Sequence, residues 1–150
     1  MKIKEIIKEL QKLENYGYVF NATKETFNKA KEYFGEMPED MQEFYKVYNG
    51  GLFFGHDFAC VDEEDGYTFD KLNDGEFKEM YQIPQNIIVF CDTGYGDYVG
   101  YDTENKNFIQ VNPEEDEENW QVFNTFTDFL KEFLDISKEL IEDGTFEPLR

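Results

Sequence analysis

The sequence has a single histidine, His56, a single serine, Ser137, and two cysteines, Cys60 and Cys91, that stand far apart in apolar runs. Nucleophilic catalysis by Ser or Cys usually calls for a His base within reach, and neither cysteine has a cationic neighbour in sequence to depress its pKa. Two Cys and one His scattered singly also lack the paired spacing of a zinc site. No disulfide framework is implied, and the thiols read as small, reduced core residues. Long apolar runs are missing as well: none approaches the roughly 18 residues of a membrane span. The opening Met1-Lys-Ile-Lys stretch has no apolar h-region of a secretory signal. These absences point to a cytoplasmic chain without a membrane partner.

Positive charge is scarce. Against 34 acidic residues stand 14 basic ones, a formal net charge of −20. The imbalance is uneven: residues 1–36 hold seven Lys and six Glu, whereas residues 37–150 hold the other 28 acids and seven bases. Such a field opposes direct contact with phosphate backbones and favours a basic protein, or else it serves solubility. Aromatic residues make up 18% of the 150-residue chain, enough large rings to fill one core in a chain that is 32% charged. That length suits one domain over 1–150.

Motifs that would carry chemistry fail on inspection. Gly94-Tyr-Gly96-Asp97-Tyr-Val-Gly100 has one residue too many for a dinucleotide fingerprint, and it leads into a strand rather than a helix. Asp92-Thr-Gly-Tyr-Gly-Asp97 puts an acid where a calcium loop needs its turn glycine. Asp62-Glu-Glu-Asp65-Gly66 lacks the alternation of such a loop, and no carboxylate pair shows a spacing that singles it out. No catalytic, metal-binding or cofactor-binding residue is assigned, no cofactor is expected, and the chain does not read as an enzyme.

Periodicity orders the chain as helices, sheet, helix. Ile3, Ile6, Ile7, Leu10 and Leu13 define an amphipathic helix over 3–14, and Asn15 to Phe20 reads as a turn. A second helix runs from Lys24, capped near Thr23, to Phe34, with Gly35 as a left-handed stop. A third covers 38–48, with Pro38 at its first position and Asn49-Gly50-Gly51 ending it. Leu52 to Val61 reads as strand broken at Gly55 and His56, and Ile87 to Cys91 as a central strand. Tyr98–Tyr101 and Asn107–Val111 form a hairpin about 102–106, Trp120–Phe123 a last strand, and a long helix follows Asn124 or Thr125. No βαβ alternation is present, so the fold class is α+β: a mainly antiparallel sheet packed by N-terminal helices and a long C-terminal helix. Phe44, Tyr48, Phe90, Phe126, Phe129, Phe133 and Leu134 are the expected core. Gly96 is expected to need a glycine-only conformation, and Asp97 to cap that turn through its own side chain.

Three stretches stand out in order: Ala30 to Gly51, with Met37-Pro38, Phe44-Tyr45 and Asn49-Gly50-Gly51; Ile87 to Asp102, with Gly96-Asp97 and the closing Asp102; and Phe123-Asn-Thr-Phe126-Thr-Asp-Phe129-Leu130. Together they resemble the SUKH superfamily. Residues 62–82 have no counterpart in that pattern, and Met37 stands where Leu is usual. The superfamily includes the fungal cell-wall-assembly regulator and many bacterial immunity proteins that neutralise toxin domains, often nucleases, without catalysis. The resemblance therefore implies a non-catalytic immunity protein that binds and neutralises a cognate, basic, nuclease-like toxin. A regulatory scaffold docking on endogenous proteins and a DNA-mimic inhibitor of DNA-binding proteins are its alternatives. The expected contact residues are the acidic loops Asp62, Glu63, Glu64, Asp65 and Glu114, Glu115, Asp116, Glu117, Glu118. Pro38, Asn49, Gly50, Gly51, Gly96, Asp97 and Asp102 are expected to carry the structural motif.

Overall fold

A computed structural model describes residues 1–149. In chain order the elements are α1 (Ile3–Gln11), β1 (Gly17–Asn21), α2 (Lys24–Phe34), α3 (Glu39–Val47), β2 (Tyr48–Phe53), β3 (His56–Phe58), α4 (Phe69–Leu72) and α5 (Gly75–Met80). They continue with β4 (Ile87–Asp92), β5 (Tyr98–Asp102), β6 (Asn107–Val111), β7 (Gln121–Phe123) and α6 (Phe126–Glu142). The strands form one antiparallel sheet in the order β1-β2-β3-β4-β5-β6-β7, so every strand pairs with its neighbour in sequence. The α+β class holds, and β4 is the central strand.

Local chemistry accounts for the helix ends. Thr23 caps α2 by accepting from the Thr26 N–H at 3.1 Å, and Thr125 caps α6 by accepting from the Asp128 N–H at 3.0 Å. Gly35 has φ +74° after the last turn of α2. On α6 the residues Phe126, Phe129, Leu130, Phe133 and Leu134 are buried, the stripe that a 3.6-residue period requires. This stripe lies on the sheet. Ring centroids of Phe126 and Phe108 are 5.8 Å apart, Phe129 and Phe90 5.6 Å, Phe129 and Phe123 5.5 Å, and Phe133 and Phe58 5.4 Å. From α3, Phe44 reaches Phe126 at 5.5 Å. Each ring pair adds roughly 0.5–1.5 kcal/mol beyond the area it buries. The seven expected core residues are all buried in this one cluster.

Several boundaries differ from the sequence reading. Residues 17–21 are an edge strand, not a turn: Tyr18 and Leu52 stand opposite each other, and pairing with β2 overrides the turn character of Asn15 and Gly17. The first helix stops at Gln11 and the third at Val47, and Pro38 is the residue before α3 rather than its first. Asn49-Gly50-Gly51 consequently lies inside strand β2. Leu52 to Val61 is broken as expected, with the turn at Phe54-Gly55, but His56 already belongs to β3, which ends at Phe58.

Residues 62–82 contribute to the second layer. After Phe58 the chain leaves β3, and two asparagines stand in for the missing strand partner. Asn73, at the end of α4, accepts from the Val89 N–H at 2.7 Å and donates to the Val89 carbonyl at 2.8 Å. Lys78 on α5 is 4% exposed and donates to the carbonyls of Ile87 at 2.5 Å and Gln85 at 3.3 Å. Phe77 and Tyr81 then pack on Tyr98 at 5.2 and 5.1 Å, covering the β4–β6 half of the face away from α6.

Candidate partner-binding surface

The motif residues hold the scaffold. Asn49 is 1% exposed, and its amide pairs with the main chain of Val61: Nδ2 donates to the carbonyl at 2.8 Å and Oδ1 accepts from the N–H at 2.9 Å. This is the second asparagine acting as a strand surrogate. Gly50 and Gly51 have φ +66° and +117°, and a Cβ would lie 2.2 Å from the Ala59 oxygen or 2.6 Å from the Val19 Cα. No side chain fits there. Asp40, two residues after Pro38, accepts from the N–H and hydroxyl of Thr127, both at 2.8 Å, tying the start of α3 to the start of α6.

Asp102 is buried at the end of β5. Burial pushes its carboxyl up, but donors from the Asn105 N–H and side chain, the Glu104 N–H and the Asn86 amide outweigh that and hold it below the ordinary value. Gly96 has φ +94°, as expected. Asp97 does not cap its turn. Asp92 Oδ1 accepts from the Gly94 N–H at 2.9 Å and Thr93 Oγ1 from the Tyr95 N–H at 3.2 Å, because such caps come from two residues before the donor. The Asp97 carboxylate instead accepts from the Thr93 hydroxyl and from Gln110 Nε2 on β6.

Both acidic loops are at the surface but at opposite ends of the sheet. Asp57 stands opposite Asp92 and Val111 opposite Tyr98, so the turn 93–97 and the loop 112–120 share the end where β2 turns into β3. Glu114, Glu115, Asp116, Glu117 and Glu118 are all exposed on that loop. Asp62, Glu63, Glu64 and Asp65 lie beyond the other end of β3, next to Asn49, and Asp62 is ion-paired with Lys29 of α2.

Register assembles a third group that no sequence pattern singled out. Tyr18, Leu52, Asp57, Asp92, Tyr98 and Val111 are successive cross-strand partners, forming one row over six strands on the face away from α6. Tyr98 and Val111 are covered, whereas Tyr18 is 56% exposed and Leu52, Asp57 and Asp92 are half-buried. Burial, and then the Asp92 charge, push the Asp57 carboxyl up to about 6. Among the described residues no lysine forms an ion pair with either aspartate.

Two of the surface concavities border residues discussed above. A cleft of about 870 Å³ between α2 and the 60–71 segment is lined by Lys29, Tyr33, Asp62, Glu64, Asp70 and Lys71. A smaller hollow of about 220 Å³ beside α6 holds His56, Tyr95 and Ser137. His56 Nδ1 lies 3.2 Å from the Phe54 carbonyl, its ring is 4.8 Å from Phe133, and burial lowers its pKa. No hydrogen bond joins it to Ser137 among the described residues. Burial pushes the Cys91 thiol well up, and burial with Glu63 pushes Cys60 up to about 11, so neither is an activated nucleophile. Among the described residues no three His, Cys, Asp or Glu side chains are grouped to hold a metal ion, and no helix is long and apolar enough to cross a membrane.

Compared with known families, residues 23–130 match the model described as SUKH_6, SMI1-KNR4 cell-wall. No curated protein matches the chain at a significant level.

Proposed function

Since this chain belongs to the SUKH_6 family, SMI1-KNR4 cell-wall, we propose that it is a non-catalytic immunity protein that binds and neutralises a basic, nuclease-like toxin domain in the cytoplasm. The observation that carries this reading is charge: a net −20 concentrated in residues 37–150 on the scaffold of the SUKH_6 family. A nuclease gathers cations to hold phosphate, and an acidic protein can both steer toward those cations and cover them. As one domain over 1–150, the chain would act by occlusion, with the surface of its sheet and loops as the contact.

The test starts from the neighbouring reading frames. Co-expression with an adjacent toxin gene should restore growth, and the two proteins should form a stable complex. Steering raises on-rates by roughly 10–10³ and fades as the Debye length falls from about 30 Å at 0.01 M salt to 3 Å at 1 M. The on-rate should therefore drop steeply with salt while the off-rate changes less. An on-rate flat in salt, with no growth rescue by any neighbouring gene pair, would sink the immunity reading. The family description, which refers to the cell wall, favours a second reading, a regulator docked on endogenous proteins. It would be marked by a stable endogenous complex without a toxin.

A further inference from the structure

We propose that the hollow beside α6 is an anchor site that takes a tyrosine side chain of the basic protein partner. The nature of the partner rests on the immunity reading, but the hollow and its chemistry belong to this chain alone. The space arises because α6 runs out of rings. Phe129 and Phe133 pack on Phe58, and Phe129 also on Phe123. No further ring follows on the helix, and Ile136, Ser137 and Leu140 line this side instead. The turn 93–97 closes the hollow with Thr93 and Tyr95, leaving about 220 Å³. An apolar cavity of about 150 Å³ already holds benzene, so one substituted ring fits.

Among the described residues, two polar groups of the lining have no protein partner: the Ser137 hydroxyl and His56 Nε2. Ser137 is only 3% exposed. Its hydroxyl is nevertheless not sealed, because Asn107 Oδ1 is the one fully enclosed side-chain polar atom without a partner among the described residues. Ser137 Oγ therefore opens to the hollow that it lines. Leaving a buried hydroxyl without a partner costs stability, so this group has a bond to offer. His56 supplies the second. Its Nδ1 lies 3.2 Å from the Phe54 carbonyl, which can only accept, so Nδ1 carries the proton and Nε2 of the neutral ring is a bare acceptor. Burial favours that neutral ring, and a T-shaped contact with Phe133 at 4.8 Å holds it in place.

These groups select the occupant. A phenol hydroxyl both donates and accepts, so it can serve His56 Nε2 and Ser137 Oγ while its ring lies among Phe54, Phe129 and Phe133. An indole N–H only donates, and a phenylalanine ring does neither. Anions are turned away, since Glu132 also lines the hollow, bonded to Gln121 Nε2 at 3.0 Å. The mouth favours a protein over a free small molecule. Tyr95 and Ile136 border it and are 74% and 50% exposed, apolar area that a ligand of the hollow's size leaves wet and a partner surface covers. The exposed run Glu114 to Glu118 lies at the same end of the sheet. A buried aromatic anchor, an apolar surround and a charged rim make up the energetic centre of a protein interface, and here the rim is acidic, as a basic partner requires.

The probe is N-acetyl-tyrosinamide, titrated at millimolar concentration into the full chain and read by amide chemical shifts. Saturable shifts centred on His56, Tyr95, Ile136 and Ser137 are expected, with the phenylalanine analogue about three- to tenfold weaker for want of the hydroxyl. Ser137→Ala should narrow that preference and melt no lower than the parent, since it deletes an unpartnered hydroxyl, which separates lost binding from lost folding. Ser137→Leu, which fills the hollow, should abolish the shifts. No saturable shift at the hollow, equal affinity for the two analogues, or a preference unchanged in Ser137→Ala would each overturn the anchor site. Free p-cresol binding at least about a hundredfold more tightly than the tyrosine probe would mark a small-molecule site and overturn it as well. Growth rescue against the neighbouring toxin is read separately. If the parent rescues and a folded Ser137→Leu rescues equally well, the anchor is wrong while the immunity role stands. If the parent does not rescue, that role fails and the titration still decides whether the hollow takes a tyrosine.

Discussion

Asn49 offers the sharpest check on how this scaffold is held. Its amide makes both a donor and an acceptor bond to Val61, at 2.8 and 2.9 Å, from a side chain that is 1% exposed. Asn49→Ala removes both partners at once. A buried group left unsatisfied costs about 1–3 kcal/mol. Val61 is only half-buried, so water recovers part of this, and a loss of about 2–3 kcal/mol is expected. Asn49→Asp is more informative. The introduced carboxylate can still accept from the Val61 N–H, but its second oxygen faces the Val61 carbonyl oxygen in place of a donor. Folding then favours the protonated acid, which can donate to that carbonyl, so its folded pKa is raised. The sign follows: the fold binds more protons than the unfolded chain, and stability is lost as pH rises through the window between the two pKa values. Urea titrations of both variants at pH 5 and pH 7, with the m-value unchanged, supply the measurement. Asn49→Asp should be at least as damaging as Asn49→Ala at pH 7 and should recover toward the parent at pH 5. An Asn49→Ala variant within about 0.5 kcal/mol of the parent, the range of ordinary surface changes, refutes the strand-surrogate role. So does an Asn49→Asp variant indifferent to pH.

Two further outcomes test the layers on either side of the sheet. Phe129, in ring contact with Phe58, Phe90, Phe123, Phe126 and Phe133, should lose about 3–5 kcal/mol on replacement by Ala in chemical denaturation, and a loss below about 1 kcal/mol would show that α6 is misplaced. Burial holds the Lys78 ammonium below its ordinary value of 10.5, so the unfolded chain binds the extra proton and stability rises with pH through the window below that value. In Lys78→Met that rise should vanish from thermal melts taken between about pH 8 and 10, whereas an identical pH profile would mean the amine is hydrated.

Charge at the candidate surface was only partly legible in the sequence. The runs 62–65 and 114–118 announce themselves because their acids are consecutive, and both are indeed at the surface. Asp57 and Asp92 do not, since each sits alone in an apolar segment and gains a neighbour only by strand pairing. A residue 35 positions away in sequence becomes adjacent through the antiparallel register of β3 with β4.

What the sequence determined by itself was whatever depends on near neighbours. Helical periodicity marked α1, α2, α3 and α6, threonine caps marked the starts of α2 and α6, and the turn residues marked the β5–β6 hairpin, because these signals act within about one helical turn or one turn of chain. The family pattern likewise lies in short local stretches. Tertiary structure decided the rest. Gly17 to Asn21 became a strand because β2 presented an edge, and Asn49 and Asn73 became partners for Val61 and Val89 because β3 ends after Phe58. The segment 60–86 covers one half of the outer face and leaves the other open, an outcome set by where Phe77 and Tyr81 meet Tyr98 across the sheet. Such choices rest on contacts between distant parts of the chain, whose closure no local preference encodes.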